Sequence, residues 1–234
     1  MWNVPATVAV KLDLTGKQWR NVTQAAEEAG WKNGVSIIAS QVVDDLQDEY
    51  FPPELLNTSA SLPLTLSSAH SIERLMQWTD MILFDYIIGH NDRLFNALLN
   101  SKWNSHMMEK PVHNLKKTAK TSDLVLLDNE SGFEFGYIAA EKKEEYHQLQ
   151  INFLDRICVF RRPTISSLMT LGSSAYNDRG SLSPSAHLEN YIREVDLQSF
   201  TAVRKWKTQY QAEFDARVRR TLERVHKCAL LVNR

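Results

Sequence analysis

An α+β fold is the expectation for this chain, on three observations. Two β-branched, alternating segments stand in the first fifty residues; apolar residues recur at three-and-four spacing through most of the rest; and Pro52-Pro53, followed by a Ser/Thr/Leu-rich stretch over 57–68, divides the two parts. Thr7 to Leu14 alternates as a half-buried strand does. Gln18 to Gly30 reads as a helix closed by glycine. Val35 to Val43 is a second β-branched strand, ending in the acidic stretch Asp44 to Glu49. Beyond the prolines the chain reads as mainly helical. Ser71 to Ile88 places apolar residues at 72, 75, 76, 78, 82 and 86, the face of a core helix, with Trp78 and Phe84 adding bulk. It stops at Gly89-His90-Asn91-Asp92-Arg93. Leu94 to Leu99 resumes the apolar run ahead of a basic, loop-like insert over 101–122. Leu124 to Leu127 is a short strand that breaks off into Asp128-Asn129-Glu130-Ser131-Gly132. A helix over Asn152 to Leu171, a Gly/Ser/Asn/Pro loop over 172–184, a helix over Leu188 to Val195 and a long basic helix from Phe200 to about Val232 complete the reading.

Composition narrows the function classes. The 234 residues are 43% hydrophobic and 24% charged, an ordinary globular balance, and are enough to bury a substantial core. A net charge of -1 offers no global field for nucleic acid or an anionic membrane. No apolar run has the length of a membrane span, and the first residues carry neither the basic segment nor the cleavage site of a secretory signal. Cys158 and Cys228 are too few for a four-cysteine zinc site. They are either one disulfide or two buried thiols, and the compartment decides between the two.

The most informative feature is a pair of aspartates flanking the basic insert: Asp92 in a polar loop after a buried helix, and Asp128 at the end of an apolar strand. Phosphoryl transfer needs such a pair, one carboxylate for the proton of the attacking hydroxyl and one for the divalent metal on the nucleotide phosphates. The plainer reading is that Asp92 caps the next helix and Asp128 opens a turn, and pattern alone favours it.

Resemblance tips the balance. Gln77-Trp-Thr-Asp-Met-Ile-Leu-Phe-Asp-Tyr-Ile-Ile-Gly-His-Asn-Asp-Arg-Leu94 resembles the signature of the four-jointed kinases. Leu124 to Phe133, Gly136-Tyr137, Ile157 to Arg161 and, more weakly, Gln18 to Trp31 follow the same family in order. That family is related to the Golgi casein kinase. The resemblance implies an atypical protein-kinase-like fold, with an incomplete small lobe over 1–55 and a mainly helical C-lobe over 56–234. It also implies a Ser/Thr kinase of the Golgi lumen or extracellular space that acts on the cadherin repeats of Fat and Dachsous in planar polarity and growth. By position, Asp92 is the catalytic aspartate and Asp128 the metal aspartate, with ATP and Mn2+ or Mg2+ as cofactors. Ordinary kinases carry an Asn five residues beyond the catalytic Asp, where this chain has Ala97; the second metal ligand is therefore Asn96 or none.

The front departs from the kinase pattern. Val8-Ala-Val-Lys11 mimics the strand that carries the nucleotide lysine, and Glu27 and Glu28 follow on a helix, but no glycine-rich loop precedes Lys11. The family's own order sets this segment after the true lysine, so it reads as a later strand of the small lobe. A chain shortened relative to its gene is the simplest explanation; the alternative is a non-catalytic lumenal or secreted module that contacts cadherin repeats. In a lumenal protein, a Cys158–Cys228 link would contribute about 3 to 5 kcal/mol on the chain-entropy model. Asn21, Asn57 and Asn129 stand in glycosylation triplets, the last discounted because a glycan there would block the metal site. The lysines and histidines of the insert read as a solvated loop with a minor share in substrate contact, the terminal helix as a packing helix, and His90 as structural.

Overall fold

The two β-branched segments at the front of the chain contain the strands expected of them, and the two strands pair with each other. Strand β1 (Thr7–Lys11) lies antiparallel to β2 (Ser36–Ser40), with Val8 opposite Ala39 and Val10 opposite Ile37. Between them runs the short helix α1 (Thr23–Glu28), closed by Gly30 at φ 78, a left-handed value that glycine adopts without strain. The computed structural model describes residues 4–5, 7–11, 13, 15–17, 20–21, 23–34, 36–55, 69–172, 182–195 and 200–232. The Ser/Thr/Leu stretch over 57–68, Asn57 and most of the predicted loop over 172–184 lie outside the described residues.

The acidic stretch before the prolines is itself a strand, which its composition hides. β3 (Leu46–Tyr50) pairs antiparallel with β4 (Pro111–Thr118), and β4 with β5 (Leu124–Leu126), in the order β3-β4-β5. The basic insert is therefore not a loop throughout. Beyond a 3-10 turn at Ser105–Glu109 it supplies the middle strand of this sheet. Register explains why: Asp48 faces Lys116 directly and forms an ion pair with it, and Glu49 on β3 meets Lys117 at 3.1 Å. Opposite charges across an antiparallel pair stabilise strands whose residue types score poorly alone. Leu115 and Val125 from β4 and β5 are fully buried beneath.

Helix α2 (Ala69–Ile88) is the axis of the core. One set of its residues, Trp78, Met81 and Ile82, packs with Phe51, Leu115, Leu126, Phe95 and Phe153 on the sheet side. Another set, Leu83, Tyr86 and Ile87, packs with Tyr137, Leu154, Phe214 and Val218 on the helical side. Around it run α3 (Phe95–Asn100), α4 (Glu134–Lys142), α5 (Glu144–Leu154), α6 (Arg162–Gly172), α7 (Pro184–Val195) and α8 (Phe200–Val232). The single helix predicted over 152–171 is instead two, interrupted at 155–161. Pro163 falls in the first turn of α6, where its missing N–H costs no hydrogen bond. Cys158 in that interruption forms a disulfide with Cys228 near the end of α8. The fold class is the mixed helix and sheet expected.

Candidate active site

The site is built where α2 ends. Gly89, at φ 73, stops the helix, and a Cβ there would lie 2.6 Å from the ring of Tyr137. A Cβ on Gly136 would in turn overlap the carbonyl oxygen of Gly89. Two glycines thus let α4 press against the loop that follows α2. The Tyr137 hydroxyl donates to the carbonyl of Ile87 at 2.7 Å, and the backbone N–H of Phe133 donates to that of Ile88. The segment that follows Asp128 is tied to the segment that precedes Asp92.

Within this loop His90, Asn91 and Arg93 are buried while Asp92 is half-exposed. Arg93 is the centre of the arrangement. Its guanidinium is fully buried, pairs with fully buried Asp85 on α2, and donates to the carbonyl of Asn114 at 3.1 Å, the carbonyl of Leu127 at 2.9 Å and Oδ1 of Asn129 at 2.6 Å. One side chain therefore binds α2, β4 and the turn that holds Asp128. Burial pushes the Asp85 carboxyl up to about 7, against the pull of Arg93.

Asp92 is held by three donors. Nδ2 of Asn96 reaches its Oδ1 at 3.0 Å, and Nδ2 of Asn114 and Nδ1 of His113 reach its Oδ2 at 3.0 Å each. Asn114 and His113 come from β4, so the basic insert contributes to the carboxylate itself. Asn114 sits at φ 55, a left-handed value that Asn tolerates better than most residues, and its carbonyl also accepts the N–H of Leu127 at 3.0 Å. Asn96, the sequence's candidate for a second metal ligand, gives its amide N–H to Asp92 and accepts the Tyr146 hydroxyl on its oxygen.

Asp128 is left-handed at φ 44, ψ 62, and exposed. Its carbonyl lies 3.1 Å from Nε2 of His90. A carbonyl only accepts, so the proton sits on Nε2. Burial, helped by the nearby Arg93 charge, lowers His90 to about 4 and keeps the ring neutral. The main chain at Asp128 is thereby fixed while its carboxylate has no partner among the described residues. Among those residues no cluster of three or more His, Cys, Asp or Glu could hold a metal alone. A lone exposed carboxylate nevertheless fits Mg2+ or Mn2+, hard cations that one or two carboxylates bind together with nucleotide phosphates.

A cavity of about 330 Å³ opens beside Asp92, walled by Leu94, Phe51, Val112, Met107 and Met108. A second buried polar line reaches the loop from the far side. Arg217 of α8 donates to the Tyr86 carbonyl at 2.6 Å and to Gln150 Oε1 at 2.7 Å; Gln150 donates to Asn91 Oδ1 at 2.6 Å; and Asn91 donates to the Gly136 carbonyl at 3.4 Å. Sequence reading missed Arg93, Asn114, His113, Gln150 and Arg217 in this assembly. The one available signal was Asp85, a charge inside the apolar run of α2 that had to find a cation.

The family described as "Four-jointed box protein middle domain" matches residues 1–230. The chain is 47% identical over 105 residues to "Extracellular serine/threonine protein kinase four-jointed" of Drosophila melanogaster, a match covering 45% of this chain and 18% of that protein. It is 31% identical to "Four-jointed box protein 1" of Xiphophorus maculatus and 30% identical to its namesake in Homo sapiens, each match covering 72% of this chain and 40% of the relative. The chain thus spans less than half the length of these relatives. No solved structure matches it. Among the described residues, no helix is long and apolar enough to cross a membrane.

Proposed function

This chain belongs to the four-jointed box family, and from that premise we propose that it is the part of a protein Ser/Thr kinase that carries the two working carboxylates, within a kinase-like fold. The supporting observation is the Arg93 guanidinium, which fastens the loop of Asp92 and the turn of Asp128 to one buried anchor at Asp85. In this reading Asp92, oriented by Asn96, Asn114 and His113, takes up the proton of a Ser or Thr hydroxyl. Asp128, with its main chain fixed and its carboxylate open, holds the divalent metal. Mn2+ or Mg2+ bound there with ATP would offset the charge on the phosphate oxygens as the γ-phosphoryl group transfers. The buried Arg93–Asp85 pair and neutral His90 keep both backbone segments in place without adding charge at the surface of the site. Cadherin repeats of the Fat and Dachsous type are the substrates in this reading, and the Golgi lumen or extracellular space is the setting. The Cys158–Cys228 disulfide and the extracellular setting in the Drosophila relative's name both agree with an oxidising compartment.

The test is phosphate transfer from ATP with Mn2+ to a serine-bearing cadherin repeat, comparing the native protein with Asp128→Ala. Transfer should fall to background in the variant, and retained transfer overturns the assignment. The same pair should differ in thermal unfolding. A nucleotide at a hundred times its dissociation constant stabilises by about 2.7 kcal/mol, roughly 5 to 10 °C at this chain length. That shift should vanish with Asp128→Ala. Capture of cadherin repeats that ignores both nucleotide and Asp128→Ala would instead mark a non-catalytic binding module.

A further inference from the structure

The cavity beside Asp92 is assigned to nothing in the reaction so far, and three features bear on what it holds. Asp92 forms part of its wall, whereas no residue from 124 to 133, the segment that carries Asp128, lines it. The cavity thus adjoins the carboxylate of Asp92 without being lined by the segment that carries Asp128. Its remaining wall is mostly apolar, and its volume of about 330 Å³ is that of a small ligand pocket, which begins at about 300 Å³. Met107 and Met108, half-exposed on the 3-10 turn of the insert, supply unbranched, polarisable side chains that adapt to different apolar partners.

The insert's charges give a third indication. Lys102 pairs with Glu145, Lys116 with Asp48, Lys117 with Glu49, His106 with Glu109 and His113 with Asp92. Lys110 and Lys120 are exposed and form no ion pair among the described residues, and of the two only Lys110 lines the cavity. The mouth beside Asp92 therefore presents an uncommitted ammonium group.

We infer that this cavity is the acceptor-peptide subsite: it takes a large apolar side chain next to the Ser or Thr whose hydroxyl meets Asp92, in a segment whose net negative charge complements Lys110. The inference rests on the phosphoryl-transfer reading for the role of Asp92, but the binding it predicts is measurable without transfer. Two short acidic peptides with a single serine, flanked by leucines in one and by glycines in the other, serve as probes of the full chain by fluorescence anisotropy. The leucine-flanked peptide should bind about tenfold or more tightly, the discrimination expected from filling an apolar pocket. Met107→Asp should abolish that preference, Lys110→Glu should weaken both peptides, and Asp128→Ala should change neither result. Equal binding of the two peptides by the native chain overturns the inference, as does a leucine preference that survives Met107→Asp; binding unchanged by Lys110→Glu overturns the charge match. Leucine preference in this chain, together with transfer by the full-length protein that survives Asp128→Ala, would leave the subsite standing and remove the kinase reading. Transfer to both peptides at equal efficiency would do the reverse.

Discussion

Arg93 divides its donors among four groups on three separate segments, so its loss would be felt on both sides of the site. Arg93→Met leaves Asp85 buried without its cation and the carbonyl of Leu127 without the guanidinium donor. Removing one partner of a buried pair costs about 3 to 5 kcal/mol, and adding Asp85→Asn should recover part of it, a coupling that denaturant unfolding of the two single variants and the double variant would measure. In the kinase reading, phosphate transfer should stay lost in the double variant, because Leu127 and Asn129 remain without the guanidinium that fastens the turn of Asp128. Gly136 is a second critical position. Its Cβ would strike a backbone oxygen, whereas a Cβ on Gly172 would strike only the movable tip of Leu222. Gly136→Ala should therefore cost about 3 kcal/mol or more and Gly172→Ala about 1 kcal/mol, an order that thermal unfolding would test.

At the scale of elements, the junction of β3 with α2 turns on Glu49. Its carboxylate accepts from Arg74 at 2.7 and 2.9 Å and from Trp78 Nε1 at 3.1 Å, and meets Lys117 at 3.1 Å. Burial pushes this carboxyl upward, but the bonds from Arg74, Trp78 and Lys117 together outweigh it and hold it below the ordinary glutamate range. A depressed acid contributes stability that is present above its unfolded pKa and is lost as pH falls through its folded one. Glu49→Gln should cost about 1.5 to 3 kcal/mol near neutrality and flatten the acid limb of a stability-against-pH curve; an unchanged acid limb would contradict this. The same element marks the limit of sequence reading. α2 and α8 were legible because apolar residues recur at helical spacing, and β5 because its short apolar run ends abruptly in polar residues. β3 and β4 were not, because their pairing rests on charges that match only across a sequence gap of about seventy residues, as Asp48 and Lys116 do. Asp92 and Asp128 stood out as polar breaks between apolar runs. Their holders did not, since Asn114 lies 22 residues from Asp92 and Asn129 lies 36 from Arg93, separations that no local pattern records.

Across the whole molecule, α8 is tied to the body at two levels. The Cys158–Cys228 bridge closes a loop with a sequence separation of 70, a constraint worth about 4 kcal/mol on the chain-entropy model. Reduction, or Cys228→Ser, should therefore lower the melting temperature by roughly 8 to 16 °C at this chain length, and a smaller shift would mean that the reduced chain keeps α8 docked. Further up the helix, Arg217 lies against the faces of Tyr86 and Tyr137, 5.1 Å from each ring centre, while reaching Gln150 and, through it, Asn91. That placement has a consequence for synthesis. Arg217 follows Tyr86 by 131 residues, and a ribosome adding about 5 to 20 residues per second needs roughly 7 to 26 s to cover that span. For that interval the loop bearing Asp92 leaves the exit tunnel without its rear support, the Asn91 amide open to water or to a chaperone. Assembly of the two carboxylates thus waits on α8, made well after the loop that it supports.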